Sequence, residues 1–174
     1  MTILPDLLTQ NLKIVFCGTA ASDISAQVGA YYANPTNYFW RTLPKIGLTP
    51  YPFEPKEYGK LLDYNIGLTD LAKHKQGNDS ALKIDDFDRV ALHQKILKFE
   101  PEILAFTSKK GASVFFQKPT TKIKYGLQND VLGETHFWVL TSPSGAARGY
   151  WDEFVWQALA DFNPFSPQAG QGEI

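Results

Sequence analysis

Leu12-Lys13-Ile14-Val15-Phe16-Cys17-Gly18-Thr19-Ala20-Ala21-Ser22 is the stretch on which the fold turns. Leu12 to Cys17 is a short apolar run that stops at a glycine, and it reads as a buried strand. Gly18 to Ser22 reads as a turn of small residues. A strand that runs into such a loop is where open α/β sheets place their ligands. Cys17, inside the apolar run, reads as a small core residue.

Working outward, Ile103-Leu104-Ala105-Phe106 reads as a second buried strand and His136 to Leu140 as a third, ending in the loop Thr141 to Arg148. Residues 118–135 look like a further strand and turn. Helices are expected over 36–47, with Phe39, Trp40 and Leu43 inward and Pro44 kinking or shortening it. Another opens at Asp85 and Asp88 and ends at Glu100-Pro101. Two more cover Ser108 to Gln117 and about 149–162. The last is expected to bury Trp151, Phe154, Val155, Ala158, Leu159 and Phe162 on one face. Leu61 to Leu71 is a short apolar stretch around Gly67, read as ending in a turn over Gly67 to Leu71. Residues 48–60, with three prolines, read as irregular, and 74–84 as polar loop. Strands alternating with helices imply an α/β class, a three-layer α/β/α sandwich on a mostly parallel central sheet. One domain is expected over 1–163, followed by a loose tail over 164–174.

The chain has 174 residues, 44% hydrophobic and 20% charged, the balance of a globular protein with a real core. Its formal net charge of −1 gives no overall attraction to a polyanion, so any nucleic acid must be met by a local basic face. One cysteine excludes an internal disulfide and a four-cysteine iron–sulfur site. His74, His93 and His136 lack metal-ligand spacing. There is no phosphate loop of the Gly-x-x-x-x-Gly-Lys type and no Gly-x-Ser-x-Gly elbow, and Gly18 to Ser22 lacks the later glycines of a dinucleotide fingerprint. No cofactor and no metal are implied. Without a secretory signal or an apolar run of about 18 residues, the expectation is a cytoplasmic protein with no membrane contact, acting as a monomer.

Several segments together resemble one family. They are Phe16 to Ser22; Tyr31-Tyr32-Ala33-Asn34-Pro35-Thr36-Asn37-Tyr38-Phe39-Trp40-Arg41; Leu61-Leu62-Asp63-Tyr64-Asn65-Ile66-Gly67-Leu68-Thr69-Asp70-Leu71; and Leu140-Thr141-Ser142-Pro143-Ser144-Gly145-Ala146-Ala147-Arg148. In order and spacing they resemble the mismatch-specific uracil-DNA and thymine-DNA glycosylases. That family has a Gly-x-Asn-Pro-Gly loop after its first strand, an aromatic before a Pro-x-Asn-x-Phe-Trp helix, a Gly-x-Thr turn and a late Asn-Pro-Ser-Gly loop. The likeness spans about residues 12 to 160.

The resemblance implies a DNA repair enzyme that flips a nucleotide into a pocket and hydrolyses its N-glycosidic bond, its partner being DNA that contains uracil or a mismatch. By the same likeness, Tyr32 stacks on the base, backbone amides near Thr19 and Tyr32 bind its carbonyl oxygens, and Ser25 lines the pocket near C5 of a pyrimidine. The sequence departs from the family where the water-positioning Asn should stand, because Ala20 occupies that place. An alanine cannot orient water, so another group must act. Two carboxylates are in line for it. Asp70 stands where well-known relatives carry lysine, and Asp23 adjoins the loop; Asp70 is the better placed. A carboxylate there would serve as base for water and would stabilise positive charge developing on the sugar. Partial burial would raise its pKa and still leave it ionised near neutrality.

The second loop implies DNA contacts. Ser142 and Ser144 can donate to phosphate oxygens, and Gly145 permits a close backbone approach. Ala146 and Ala147 are poor wedges for the hole a flipped base leaves, so Arg148 is the side chain expected to fill it. Lys109 and Lys110 head a basic group with Lys118, Lys122 and Lys124, read either as a backbone track or as a solvated face. Two other readings stay open: a lesion-binding protein without catalysis, and a binder of small nucleotides or nucleosides.

Overall fold

The computed structural model describes residues 1–163. Its centre is a five-stranded sheet of β1 (Ile14–Ala21), β2 (Ile66–Gln76), β3 (Ile103–Phe106), β4 (Gly126–Leu132) and β5 (Thr135–Val139), in the order β2-β1-β3-β5-β4. Strands β2, β1, β3 and β5 run parallel, and β4 joins β5 as an antiparallel edge. The helices are α1 (Asp23–Val28), α2 (Phe39–Lys45), α3 (Arg89–Phe99), α4 (Lys109–Phe116) and α5 (Glu153–Asp161), with short 3-10 turns between.

Helices cover both faces, as a sheet apolar on both sides requires. On one face Phe16, Leu68, Ala105 and Trp138 pack against Phe39 and Leu43 of α2 and Trp156 and Leu159 of α5. On the other, Val15, Cys17, Leu104 and Phe137 meet Leu92 and Ile96 of α3 and Ala112 and Phe115 of α4. The α/β sandwich read from the alternating pattern is therefore the observed one, and Cys17, Phe39 and Trp40 are core residues as expected.

Three local expectations need correction. The segment Gly67 to Leu71 is not a turn but the middle of β2. Ile66 through Ala72 are buried without alternation, because β2 has layers on both faces and residues 3–8 alongside its outer edge. The supposed turn from Gly18 is likewise strand as far as Ala21: β1 stays in register with β2 from Gly18↔Asp70 to Ala20↔Ala72 before a bulge. The last helix begins at Glu153, capped by Asp152, and buries Trp156 and Leu159 while Phe154 is 84% exposed. Its inward face is set by the Trp156 indole N–H, which donates to the Thr141 carbonyl at 3.1 Å. The loose tail expected over 164–174 lies outside the described residues. Among those described, no helix is long and apolar enough to cross a membrane.

Candidate active site

Parallel strands end on one edge of the sheet, and the site assembles there. Gly18 of β1 pairs with Asp70 of β2, so the strand register alone brings that carboxyl to the point where β1 outruns β3, whose last pair is Cys17↔Phe106. The approach is close: a Cβ on Gly18 would stand 2.5 Å from Asp70 Oδ1 and 3.5 Å from the Tyr32 hydroxyl. Only a glycine leaves room for the acid at that point. Thr107, just beyond β3, closes the other side. Its hydroxyl donates to the Cys17 carbonyl at 3.3 Å and lies 3.2 Å from the Tyr32 hydroxyl.

Tyr32 sits in a left-handed conformation, φ 52°, which for a bulky residue is a strained choice of order 1–3 kcal/mol. Three contacts hold it there. The Tyr32 ring stacks on Phe39 at a centroid distance of 4.0 Å, its hydroxyl meets Thr107, and the following amide, Ala33 N–H, donates to Ser25 Oγ at 3.0 Å. Ser25 is buried, and its hydroxyl also meets that of Ser22, the N-cap of α1, at 3.1 Å. Its observed work is to fix the Tyr32 turn.

Asp70 is 6% exposed, and its carboxylate accepts no hydrogen bond among the described residues. Burial pushes its carboxyl up from the ordinary 3.8 to about 6; Lys73 pulls down, Asp6 pushes up and Lys95 pulls down. These three form a network beside it. Asp6 takes Lys73 Nζ at 2.8 Å, Lys95 Nζ at 2.6 Å and the Thr69 hydroxyl at 2.7 Å. Burial works against the charge on Asp6, but those three donors outweigh it and hold the group below the carboxylate range. Lys73 also donates to the Tyr31 hydroxyl at 3.0 Å. Burial first, then the Asp70 charge, pushes the Tyr31 and Tyr32 hydroxyls far up, so both stay neutral.

Asp23 differs sharply from Asp70. It is exposed in the first turn of α1 and accepts from Gln76 Nε2 at 3.1 Å. Thr19 and Ala20 are half-buried at the rim, and the Thr19 hydroxyl donates to Asp79 Oδ1 at 2.7 Å.

The second loop meets the segment that leads into α2. Tyr38 N–H donates to the Pro143 carbonyl at 2.8 Å, and a Cβ on Gly145 would stand 2.7 Å from Thr36 Cβ. The loop is braced internally: Ser142 Oγ accepts from Ser144 N–H and Ser144 Oγ from Ala146 N–H, each at 3.3 Å. Both hydroxyls keep their own protons to donate outward. Ala146 and Arg148 are exposed, and Arg148 Nε alone is engaged, on the Gly145 carbonyl at 3.3 Å. Lys109 Nζ lies 4.3 Å from the centre of the Tyr125 ring, and Lys110 is exposed beside Phe87.

The contacts thus join Asp70 with Gly18 and Tyr32 with Thr107, and separately tie Pro143 and Gly145 to the segment at Thr36 to Tyr38. Thr19, Ala20, Ser142, Ser144, Ala146, Arg148 and Lys109 follow strands that end on the same side of the sheet. Ser25 braces the Tyr32 turn, and Asp23 is exposed on α1. Sequence reasoning missed Thr107, Asp79 and the Asp6–Lys73–Lys95 network. Of these only Lys73 had a visible signal, three residues past Asp70 in an apolar run. Among the described residues no group of three or more His, Cys, Asp or Glu side chains could hold a metal ion.

A family model described as the uracil DNA glycosylase superfamily matches residues 5–163. A solution structure of a putative uracil DNA glycosylase from Methanosarcina acetivorans is similar in fold, with a TM-score of 0.62 at 24% identity. The match covers 90% of this chain and 94% of that one.

Proposed function

The chain belongs to the uracil DNA glycosylase superfamily, and from that premise we propose that it hydrolyses the N-glycosidic bond of uracil in DNA, with Asp70 as the group that replaces the missing asparagine. The observation that carries this reading is a buried carboxylate with no hydrogen-bond donor, opposite Gly18 at the strand end. Structural acids under cover are paired. One left unpaired beside a half-buried tyrosine is poised to act on something absent.

The chemistry follows from position. With the base flipped against Tyr32 and its carbonyl oxygens on amides near Thr19 and Tyr32, C1′ of the deoxyribose faces Asp70. As the C1′–N bond breaks, its electron pair leaves with the base and positive charge grows on the sugar. The Asp70 carboxylate stabilises that charge across a low-dielectric gap. It accepts a proton from the water whose oxygen bonds to C1′, then returns it to solvent. Titrating near 6, it is mostly ionised at pH 7 and still basic enough for the transfer.

Lys73 is not read as a Schiff-base nucleophile, because its Nζ is taken up by Asp6 at 2.8 Å and by the Tyr31 hydroxyl at 3.0 Å. The enzyme is therefore read as monofunctional, releasing base and leaving the strand intact. Ser142 and Ser144 donate to phosphate, and Arg148 fills the vacated stack. The resemblance to the mismatch-specific branch supports duplexes with a mismatched uracil as substrates.

The test is release of uracil from an oligonucleotide, read as alkali-labile breaks, with hypoxanthine and thymine oligonucleotides in parallel. Breaks with wild type and Asp23→Ala, and at least about 100-fold fewer with Asp70→Ala, support the assignment. Retarded migration of the oligonucleotide without breaks would make the protein a lesion binder. Loss with Asp23→Ala and not with Asp70→Ala would move the base to Asp23.

A further inference from the structure

Beyond the pocket, the same edge carries two aromatic rings that the fold leaves uncovered. Tyr125 immediately precedes β4, whose first residue Gly126 pairs with Val139, the last of β5. The antiparallel turn of that edge strand returns Tyr125 to the side where the parallel strands end. Tyr150 closes the 3-10 turn that follows the second loop and is 78% exposed; Tyr125 is 40% exposed. Tyr150 follows the loop that leaves β5 at Val139, and Tyr125 precedes the residue paired with Val139, so both rings stand at the same end of the β5–β4 pair.

Cations surround them. Lys109, first residue of α4 and two residues past Thr107, sets its ammonium 4.3 Å from the Tyr125 ring centre. Lys122 and Lys124 are exposed just before Tyr125, and Arg148 is exposed just before Tyr150. The nearest acids in sequence are engaged elsewhere. The Asp152 carboxylate caps α5 through Phe154 N–H at 3.0 Å, and Glu153 pairs with Lys45 at 3.6 Å. Exposed rings with cations beside them, on the side of the sheet where the parallel strands end, match the way single strands are held: stacking for bases, ammonium groups for phosphates.

We propose that Lys109, Tyr125 and Tyr150 form a second nucleotide site, a platform on which an unpaired base flanking the flipped one stacks while Lys109 meets the phosphate between them. The proposal rests on the DNA glycosylase reading above. Strand order sets its distance: β5 and β4 lie two and three strand spacings from β1, about 10–15 Å. That is roughly the reach of one or two extended nucleotides from the Gly18 to Ala20 rim. The platform favours substrates whose neighbouring bases are free, which means single strands and frayed or bulged duplexes over fully paired ones.

The experiment uses the full chain and single-stranded oligonucleotides carrying one uracil, with 2-aminopurine placed in turn one to three nucleotides to either side. Quenching of 2-aminopurine is expected on one side only, at one or two nucleotides. Tyr150→Leu and Tyr125→Leu should abolish it and weaken single-strand binding about tenfold, in line with one lost stack, while the same duplex with paired flanks loses less than about threefold. Lys109→Gln should lower the salt dependence of single-strand binding by about one phosphate contact. Tyr150 is too exposed for its replacement to disturb folding, so its variant alone decides. If wild type excises uracil and Tyr150→Leu quenches and binds as wild type does, the platform is wrong and the pocket stands. If wild type neither binds nor excises, the glycosylase reading fails and the platform with it.

Discussion

Replacing Asp70 by Asn should make the protein inactive and should remove a pH-dependent penalty on folding. The carboxyl titrates near 6 in the folded chain against an ordinary 3.8, chiefly because burial penalises its charge. At 1.36 kcal/mol per pH unit, that gap is about 3 kcal/mol of destabilisation from holding Asp70 ionised. The sign runs opposite to that of a salt-bridged acid. The folded state binds the proton more tightly than the unfolded state, so the penalty is full above about pH 7, fades as pH falls through 6, and is gone below about 4. Asn carries no charge at any of these values. The difference in unfolding free energy between Asp70→Asn and wild type should therefore be about 2.5 kcal/mol more favourable to the variant at pH 8 than at pH 4. Urea unfolding of both proteins at half-unit steps measures it, and the pH dependence of the difference, rather than its offset, carries the result, since the buried amide adds its own constant term. Single-turnover excision by wild type should fall on the acid side with a midpoint near 6. A stability difference that stays flat from pH 4 to 8 would refute the account of a desolvated, unpaired acid.

Three further outcomes are expected. Lys73→Met removes the cation that most favours ionised Asp70, so the acid limb of the excision profile should move above 6; a limb that moves down or stays would show that Lys73 does not act on it. Ser25→Ala leaves Ala33 N–H without its acceptor and should cost about 1–2 kcal/mol in denaturant unfolding. The same variant should raise KM more than it lowers kcat, because the Tyr32 turn loosens. Arg148→Ala should weaken binding to a uracil-containing duplex more than it slows excision from single strands; equal losses on both would reject a gap-filling role.

Much of the architecture was legible because its signals are local. Leu12 to Cys17, Ile103 to Phe106 and His136 to Leu140 are apolar runs that end in small or polar residues, and each proved to be the heart of a parallel strand. The helix caps Asp88 and Ser108 could be read in the same way. β2 was not legible. A strand buried on both faces shows no alternation, and Gly67 and Asp70 inside it look like turn residues. The inward face of α5 was misread because apolar spacing cannot tell which of Phe154 and Trp156 finds a partner; the Thr141 carbonyl decides that. Asp70 was legible as an acid whose burial would raise its pKa, but not as one without a hydrogen-bond donor. That state depends on Gly18 across the sheet and on Asp6, Lys73 and Lys95, which only the folded chain brings together.

The stretch from Ile3 to Leu8 runs along β2, with Leu7 N–H and carbonyl both bonded to Leu68 at 2.9 Å and Ile3 N–H bonded to the Lys73 carbonyl at 2.7 Å. Without it, the strand that bears Asp70 would offer a row of bare amides to any neighbouring molecule, an invitation to stack copies edge to edge. The opening residues therefore act as a selvedge. They keep the sheet from growing sideways, and through Asp6 the same few residues reach back to bias the ionisation of Asp70.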